Sequence, residues 1–155
     1  MDRPPTTPPP AEPAPGQSVT IADYDADGYD YRHYWRGREY EDWAEARVIR
    51  RCLRPVGVVP WLVDLGGGFG RNLPQYRPFA RRLVLVDYSM TNLSAAERQL
   101  AREPRLDGDV ALVRANLYHL PFRDGVFDTG ATVRVLHHLQ ELDRALAEMS
   151  RVIGA

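Results

Sequence analysis

Lysine is absent from this 155-residue chain: its 20 basic side chains are all arginine, against 21 Asp and Glu, for a formal net charge of −1. Without an excess of positive charge nothing in the composition concentrates a polyanion by counterion release, so nucleic acid is not an implied partner. Cysteine occurs once, at Cys52. That excludes an intrachain disulfide and any zinc site built on cysteines, and it points to a reducing, cytoplasmic setting. No apolar run approaches the roughly 18 residues of a membrane helix. Met1 to Pro15 carries seven prolines where a secretory leader would be apolar, so neither membrane nor export is expected. What remains is ordinary: 44% hydrophobic and 26% charged residues suit a soluble globular protein, and the length suits one domain of roughly 100–200 residues.

Composition divides the chain in three. Residues 1–18 have almost nothing apolar to bury and are expected to form a disordered proline-rich tail. Residues 19–56 begin with a crowd of aromatics and charges (Tyr24, Tyr29, Tyr31, Tyr34, Trp35, Tyr40) and continue into a helix with an apolar stripe at Trp43, Ala46, Ile49 and Leu53, stopped by Pro55 and Gly57. From 57 to 155, strands and helices alternate. Val58–Asp64 reads as a short strand and Leu83–Asp87 as a continuous apolar one, the type buried on both faces of a parallel sheet. A helix capped by Ser89 follows, with Leu93, Ala96 and Leu100 on one face and Pro104 beyond its end. Val110–Val113 and Val126–Val133 read as further strands, and Leu139, Leu142, Leu146, Met149 and Ile153 as the stripe of a last helix. The expected fold is a Rossmann-like, doubly wound parallel sheet of about four strands, preceded by the aromatic helical segment.

Two features carry chemistry. Asp64-Leu65-Gly66-Gly67-Gly68-Phe69-Gly70 leaves a buried strand and opens a helix, the place where open α/β sheets bind ligands. The spacing D-x-G-x-G-x-G bares the backbone at 66, 68 and 70, but Arg71 stands where a dinucleotide fingerprint needs its third glycine. Asp87, at the tip of the next strand, offers two acceptor oxygens to a diol, with each bond to a charged acceptor worth roughly 1.5–3 kcal/mol. A packing turn and a solvated strand-end acid are the bland alternatives; their joint register favours a site.

The loop 63–70, the strand end Val84-Leu85-Val86-Asp87-Tyr88-Ser89 and the stretch Asn116-Leu117-Tyr118-His119-Leu120-Pro121-Phe122 resemble three successive motifs of class I S-adenosylmethionine-dependent methyltransferases. Phe127-Asp128, Val135 to Leu139 and Glu148 to Ile153 are similar to the fourth strand, its exit and the next helix. The resemblance runs from about residue 58 to the end of the chain. It implies S-adenosylmethionine as cofactor, with Gly66, Gly67, Gly68 and Gly70 against its methionine and ribose portions. It further implies Asp64 orienting the amino group, Asp87 holding the ribose diol, Tyr88 flanking the adenine, Asn116 accepting from its exocyclic amine and Leu117 beside the ring. Val133 and Arg134 would face the methionine end, where Arg134 departs from the small or polar residue more usual there. Tyr34, Trp35, Arg38 and Tyr40 look like a lid over the cofactor; aromatics sealing the sheet edge are the equal alternative.

The implied reaction is methyl transfer to a small-molecule acceptor. No catalytic residue is singled out: His119, His137 and His138 are the imidazoles late enough in the chain to approach the cofactor, and the adjacent pair lacks a third ligand for a metal site. Arg47, Arg50, Arg51 and Arg54 read as the wet face of their helix. On the resemblance, Ala155 falls where members continue into a fifth strand. Activity is therefore expected of a longer or completed protein, and the edge of the fourth strand is expected to be bare, open to self-association or a partner chain. An inactive cofactor-binding module completed by another chain is the alternative. A nicotinamide enzyme is a third reading, opposed by Arg71 and by the 116–122 motif.

Overall fold

A computed structural model describes Asp25, residues 31–103 and residues 109–154. The proline-rich segment 1–18, Tyr24, Tyr29 and Pro104 lie outside the described residues. Four strands, β1 (Val59–Leu65), β2 (Ala80–Asp87), β3 (Val110–Arg114) and β4 (Thr129–Ala131), form one parallel sheet in the order β3-β2-β1-β4. The chain steps from β1 outward to β3 and then returns to the other side of β1. The carboxyl end of β1 is therefore a topological switch point, where a crevice opens.

Alternation along the two central strands builds two cores. Leu62, Leu83 and Leu85 face one side, packing with Leu73, Tyr76, Leu93, Ala96, Ile49 and Leu53. Val63, Leu65, Val84 and Val86 face the other, against Tyr118, Leu120, Phe127, Ala145, Met149 and Val152. A strand whose successive side chains all find apolar neighbours must read as a continuous hydrophobic run, as β2 does from Leu83 to Val86.

The helices are α1 (Glu39–Leu53), α2 (Leu73–Tyr76), α3 (Met90–Leu100) and α4 (Leu142–Val152). Pro74 lies in the first turn of α2, where its missing N–H costs nothing. Ser89 caps α3, its hydroxyl accepting from Asn92 N at 3.1 Å. None of the helices among the described residues is long and apolar enough to cross a membrane.

Three expectations are corrected. Trp43 is 54% exposed, its ring beside Tyr40 and under the Arg47 guanidinium. The inward face of α1 runs instead through Asp42, Glu45, Ile49 and Leu53, because the two acids meet Arg71 and turn Trp43 outward. On α4 the buried side chains are Ala145, Met149 and Val152, while Leu142 and Leu146 are each 39% exposed; Ile153 has left the helix and pairs with Phe127. Finally, β4 spans only Thr129–Ala131, where the sequence reads as extended throughout 126–133.

The main chain around β4 faces alternate ways. Asp128 N donates to Trp61 O, whereas Phe127 donates to Val152 O and accepts from Gly154 N, on the side away from β1. By that alternation the amides and carbonyls of Thr129 and Ala131 also point away from β1. Among the described residues, β4 is an edge strand of the sheet.

Candidate cofactor site

The crevice at the carboxyl ends of β1, β2 and β4 is lined by the glycine loop, the exits of those strands and the turn after β3. The loop is held by β2, since Gly66 N and Gly67 N both donate to Val86 O, at 2.8 and 3.0 Å. Gly66 has φ +79, and a Cβ there would stand 2.5 Å from Val135 Cγ2, so any side chain would be strained and would displace Val135. At Gly68, φ +56 turns the amide toward Asp87, whose Oδ2 accepts from it at 2.8 Å. One hydrogen bond thus joins the glycine loop to the acid on the neighbouring strand.

Asp87 Oδ1 accepts from Ser89 N at 2.9 Å and sits at the limit of contact, 3.5 Å, with Asn92 Nδ2. A carboxylate has about four lone-pair directions, so Asp87 retains acceptor capacity toward the crevice. Burial pushes its carboxyl above the ordinary range, while the Ser89 and Gly68 amides pull it back.

Asp64 is more deeply placed, at 2% exposure. Its Oδ1 lies 3.4 Å from the Tyr76 hydroxyl, a weak donor, and its Oδ2 is buried without a hydrogen-bond partner. Burial raises its carboxyl to about 7, against the counteracting Tyr76 bond and with a further upward push from Asp87. A buried carboxylate oxygen lacking a donor, on the wall of an open crevice, is suited to a cationic or N–H-bearing ligand group.

The structure gathers Asp64, Gly66, Gly67, Gly68, Asp87, Tyr88, Asn116, Leu117, Val133 and Arg134 around this one crevice. Gly70 is not among the lining residues; a Cβ there would lie 2.8 Å from Leu73 Cδ1, which makes it a packing position. Asn116 Oδ1 already accepts from Tyr118 N at 2.9 Å, fixing the turn after β3 and using part of the acceptor capacity expected for a base. Tyr34, Trp35, Arg38 and Tyr40 do not line the crevice either. Tyr34 and Trp35 rest instead on two arginines that do: the Arg71 guanidinium lies 3.5 Å from the Trp35 ring centroid and that of Arg134 5.0 Å.

Sequence reasoning missed the device that holds those arginines. Glu45 bridges them, with Oε2 2.5 Å from Arg71 and Oε1 bonded to Arg134, and Asp42 adds a second bond to Arg71. Arg134 takes φ +60, uncommon for a side-chain-bearing residue. Glu45 and Asp42 stand three apart on α1, a helical-face signal, but nothing local named their partners. Phe69, Asn72, Ser89, Asn92, Tyr118, Val135, His138 and Leu139 also line the crevice. Of the imidazoles, His138 lies on the wall, its basicity lowered by burial and by His137, whereas His119 contacts Arg144.

Comparison with known proteins agrees with this geometry. The methyltransferase domain family matches residues 63–154, more than half of the chain. A demethylmenaquinone methyltransferase of Thermobifida fusca is 30% identical over 140 residues, covering 89% of this chain and 57% of that protein. A methyltransferase of Haloferax volcanii, solved in complex with the Trm112 methyltransferase activator, aligns with TM-score 0.69 and 24% identity over 88% of this chain and 57% of that one. A SAM-dependent methyltransferase of Aquifex aeolicus aligns with TM-score 0.60 and 20% identity over 68% and 58%. At those identities the two solved structures establish the shared fold. The chain spans about half the length of the curated relatives it matches. With the family match and the strand order both in hand, the chain belongs to the methyltransferase domain family of class I S-adenosylmethionine-dependent methyltransferases.

Proposed function

We propose that the crevice binds S-adenosylmethionine and that the protein passes a methyl group to a small-molecule acceptor in the cytoplasm. The observation that carries this reading is the pair of carboxylates on adjacent strand tips, Asp64 with an unpartnered buried oxygen and Asp87 bonded across the glycine loop through Gly68 N. In this reading Asp64 takes the amino group of the cofactor and Asp87 the ribose hydroxyls. Tyr88 and Leu117 flank the adenine, and Asn116 contributes its remaining polar capacity at the edge of that ring. Gly66 and Gly68 let the chain backbone lie close beneath. Val133 and Arg134 border the methionine end, and the Tyr34–Trp35 pair, held on Arg71 and Arg134, roofs it at one remove.

When bound, S-adenosylmethionine supplies a methyl already activated by the sulfonium charge. The residues of the chain have to align and desolvate; holding two reactants in line is worth about 7–11 kcal/mol of barrier. In this reading His138, on the crevice wall and with its basicity lowered by burial, is the imidazole available to an acceptor's proton. A small-molecule acceptor is supported by the Thermobifida fusca relative, named for its action on demethylmenaquinone. The outward-facing groups of β4 support a second reading, in which the acceptor side is supplied by further strands docked on that edge, from this protein or a partner.

Calorimetry with S-adenosylhomocysteine, the demethylated product, tests the assignment. Asp87→Ala is expected to weaken binding at least tenfold; equal affinity for the two proteins would overturn it.

A further inference from the structure

We propose that Asp25 is a positioning residue for the adenosine wall of the crevice, an inference that rests on the cofactor reading and extends it to a segment with no motif of its own. Asp25 lies more than sixty positions before the residues it holds. Its Oδ1 accepts from the Ser89 hydroxyl at 2.6 Å and from Thr91 N at 3.0 Å, and its Oδ2 accepts from Met90 N at 2.8 Å. Ser89 itself serves Asn92 N. Between them the two side chains satisfy the orphan amides in the first turn of α3, one from the cap residue and one from the distant N-terminal segment.

Two neighbours of this carboxylate lead on to the cofactor wall. Ser89, gripped through its hydroxyl, donates its amide to Asp87 Oδ1. Arg114, at the end of β3 and 3.9 Å from Asp25 Oδ2, donates Nε to Tyr88 O at 2.9 Å and lies 5.4 Å from the Tyr88 ring centroid. One acid therefore braces the Asp87–Tyr88 pair from both sides, the two residues assigned to the ribose and the adenine. Hydrogen bonds from Ser89 and Thr91 hold its carboxyl far below the ordinary range, so it stays charged throughout the physiological range. A cap serving only the stability of α3 would leave the affinity of the folded chain unchanged when removed. A brace for the adenosine wall would lower it.

The test uses the full chain and two probes, S-adenosylhomocysteine and adenosine, titrated by calorimetry. With the ligand-free variants shown by circular dichroism to be fully folded at the titration temperature, Asp25→Ala is expected to weaken both by the same factor, fivefold or more, and Asp25→Asn, which keeps an acceptor oxygen, to lose less; a loss accounted for by the unfolded fraction alone overturns the proposal. Asp64→Asn, at the methionine end, is expected to weaken S-adenosylhomocysteine and leave adenosine unchanged. Should Asp25→Ala fail to fold, an intermediate and matched loss in Asp25→Asn carries the same support. Wild-type affinity for both probes in the Asp25 variants, or loss of S-adenosylhomocysteine with adenosine retained, overturns the proposal. If the unaltered chain binds neither probe, it is the cofactor reading that fails.

Discussion

Replacing Asp64 by asparagine separates what the folded chain tolerates from what its ligand needs. In the folded protein burial holds this carboxyl at about 7, against an ordinary 3.8. Between those values the folded state keeps a proton that the unfolded state has released. Stability therefore falls as pH rises from about 4 to about 7 and levels off above. At about 1.4 kcal/mol per tenfold change in proton affinity, the penalty is about 2 kcal/mol at pH 5 and about 4 kcal/mol at pH 8. The substitution Asp64→Asn removes that penalty but puts an amide where the unpartnered Oδ2 stood, at a cost of about 1–3 kcal/mol that is the same at both pH values. The difference between the two conditions is independent of this cost. It should appear as a melting-temperature shift for Asp64→Asn that is more favourable at pH 8 than at pH 5 by roughly 4–8 °C, taking about 2–4 °C per kcal/mol for a chain of this size. Differential scanning fluorimetry without ligand measures it. An equal shift at the two pH values would refute the reasoning, because it would mean that Asp64 is not held protonated.

The same carboxyl makes ligand binding proton-linked. If an ammonium is its partner, wild-type affinity for S-adenosylhomocysteine rises by up to about tenfold from pH 6 to pH 8, and Asp64→Asn flattens the profile in calorimetric titrations. Gly67→Ala would place a Cβ 2.6 Å from Asp64 Oδ2 and 2.7 Å from Leu85 Cγ. A destabilisation of about 2 kcal/mol or more is expected in urea unfolding, since neither neighbour has room to withdraw. Glu45→Gln leaves Arg71 and Arg134 without their shared countercharge. It should cost about 1–2 kcal/mol and expose the chain near Trp35 to limited proteolysis, with wild-type cleavage rates as the contrary result.

The parts of this architecture that are legible in the sequence are those written by local chemistry. A continuous apolar run ending in Asp87 marks a strand covered on both faces, and Ser89 before Leu93 and Ala96 marks a cap and a buried helix face. The loop 64–70 is legible because glycine spacing, strand exit and helix start coincide. Trp43 misleads because periodicity registers apolarity alone. The α1 face that turns inward carries Asp42 and Glu45, and their value depends on Arg71, a residue visible in the sequence only as a glycine that is not there. Asp25 has no signal of its own: it is one of four aspartates between 23 and 30, and it becomes a cap only because Ser89, 64 residues on, is brought against it. Gly70 shows the converse, a position that fits the loop pattern yet spends its missing side chain on Leu73.

The margin of the sheet at Thr129 and Ala131 sets a direction. Phe127 already takes a parallel neighbour through Val152 and Gly154, so any segment laid farther along that border inherits its polarity and register from a step that is in place.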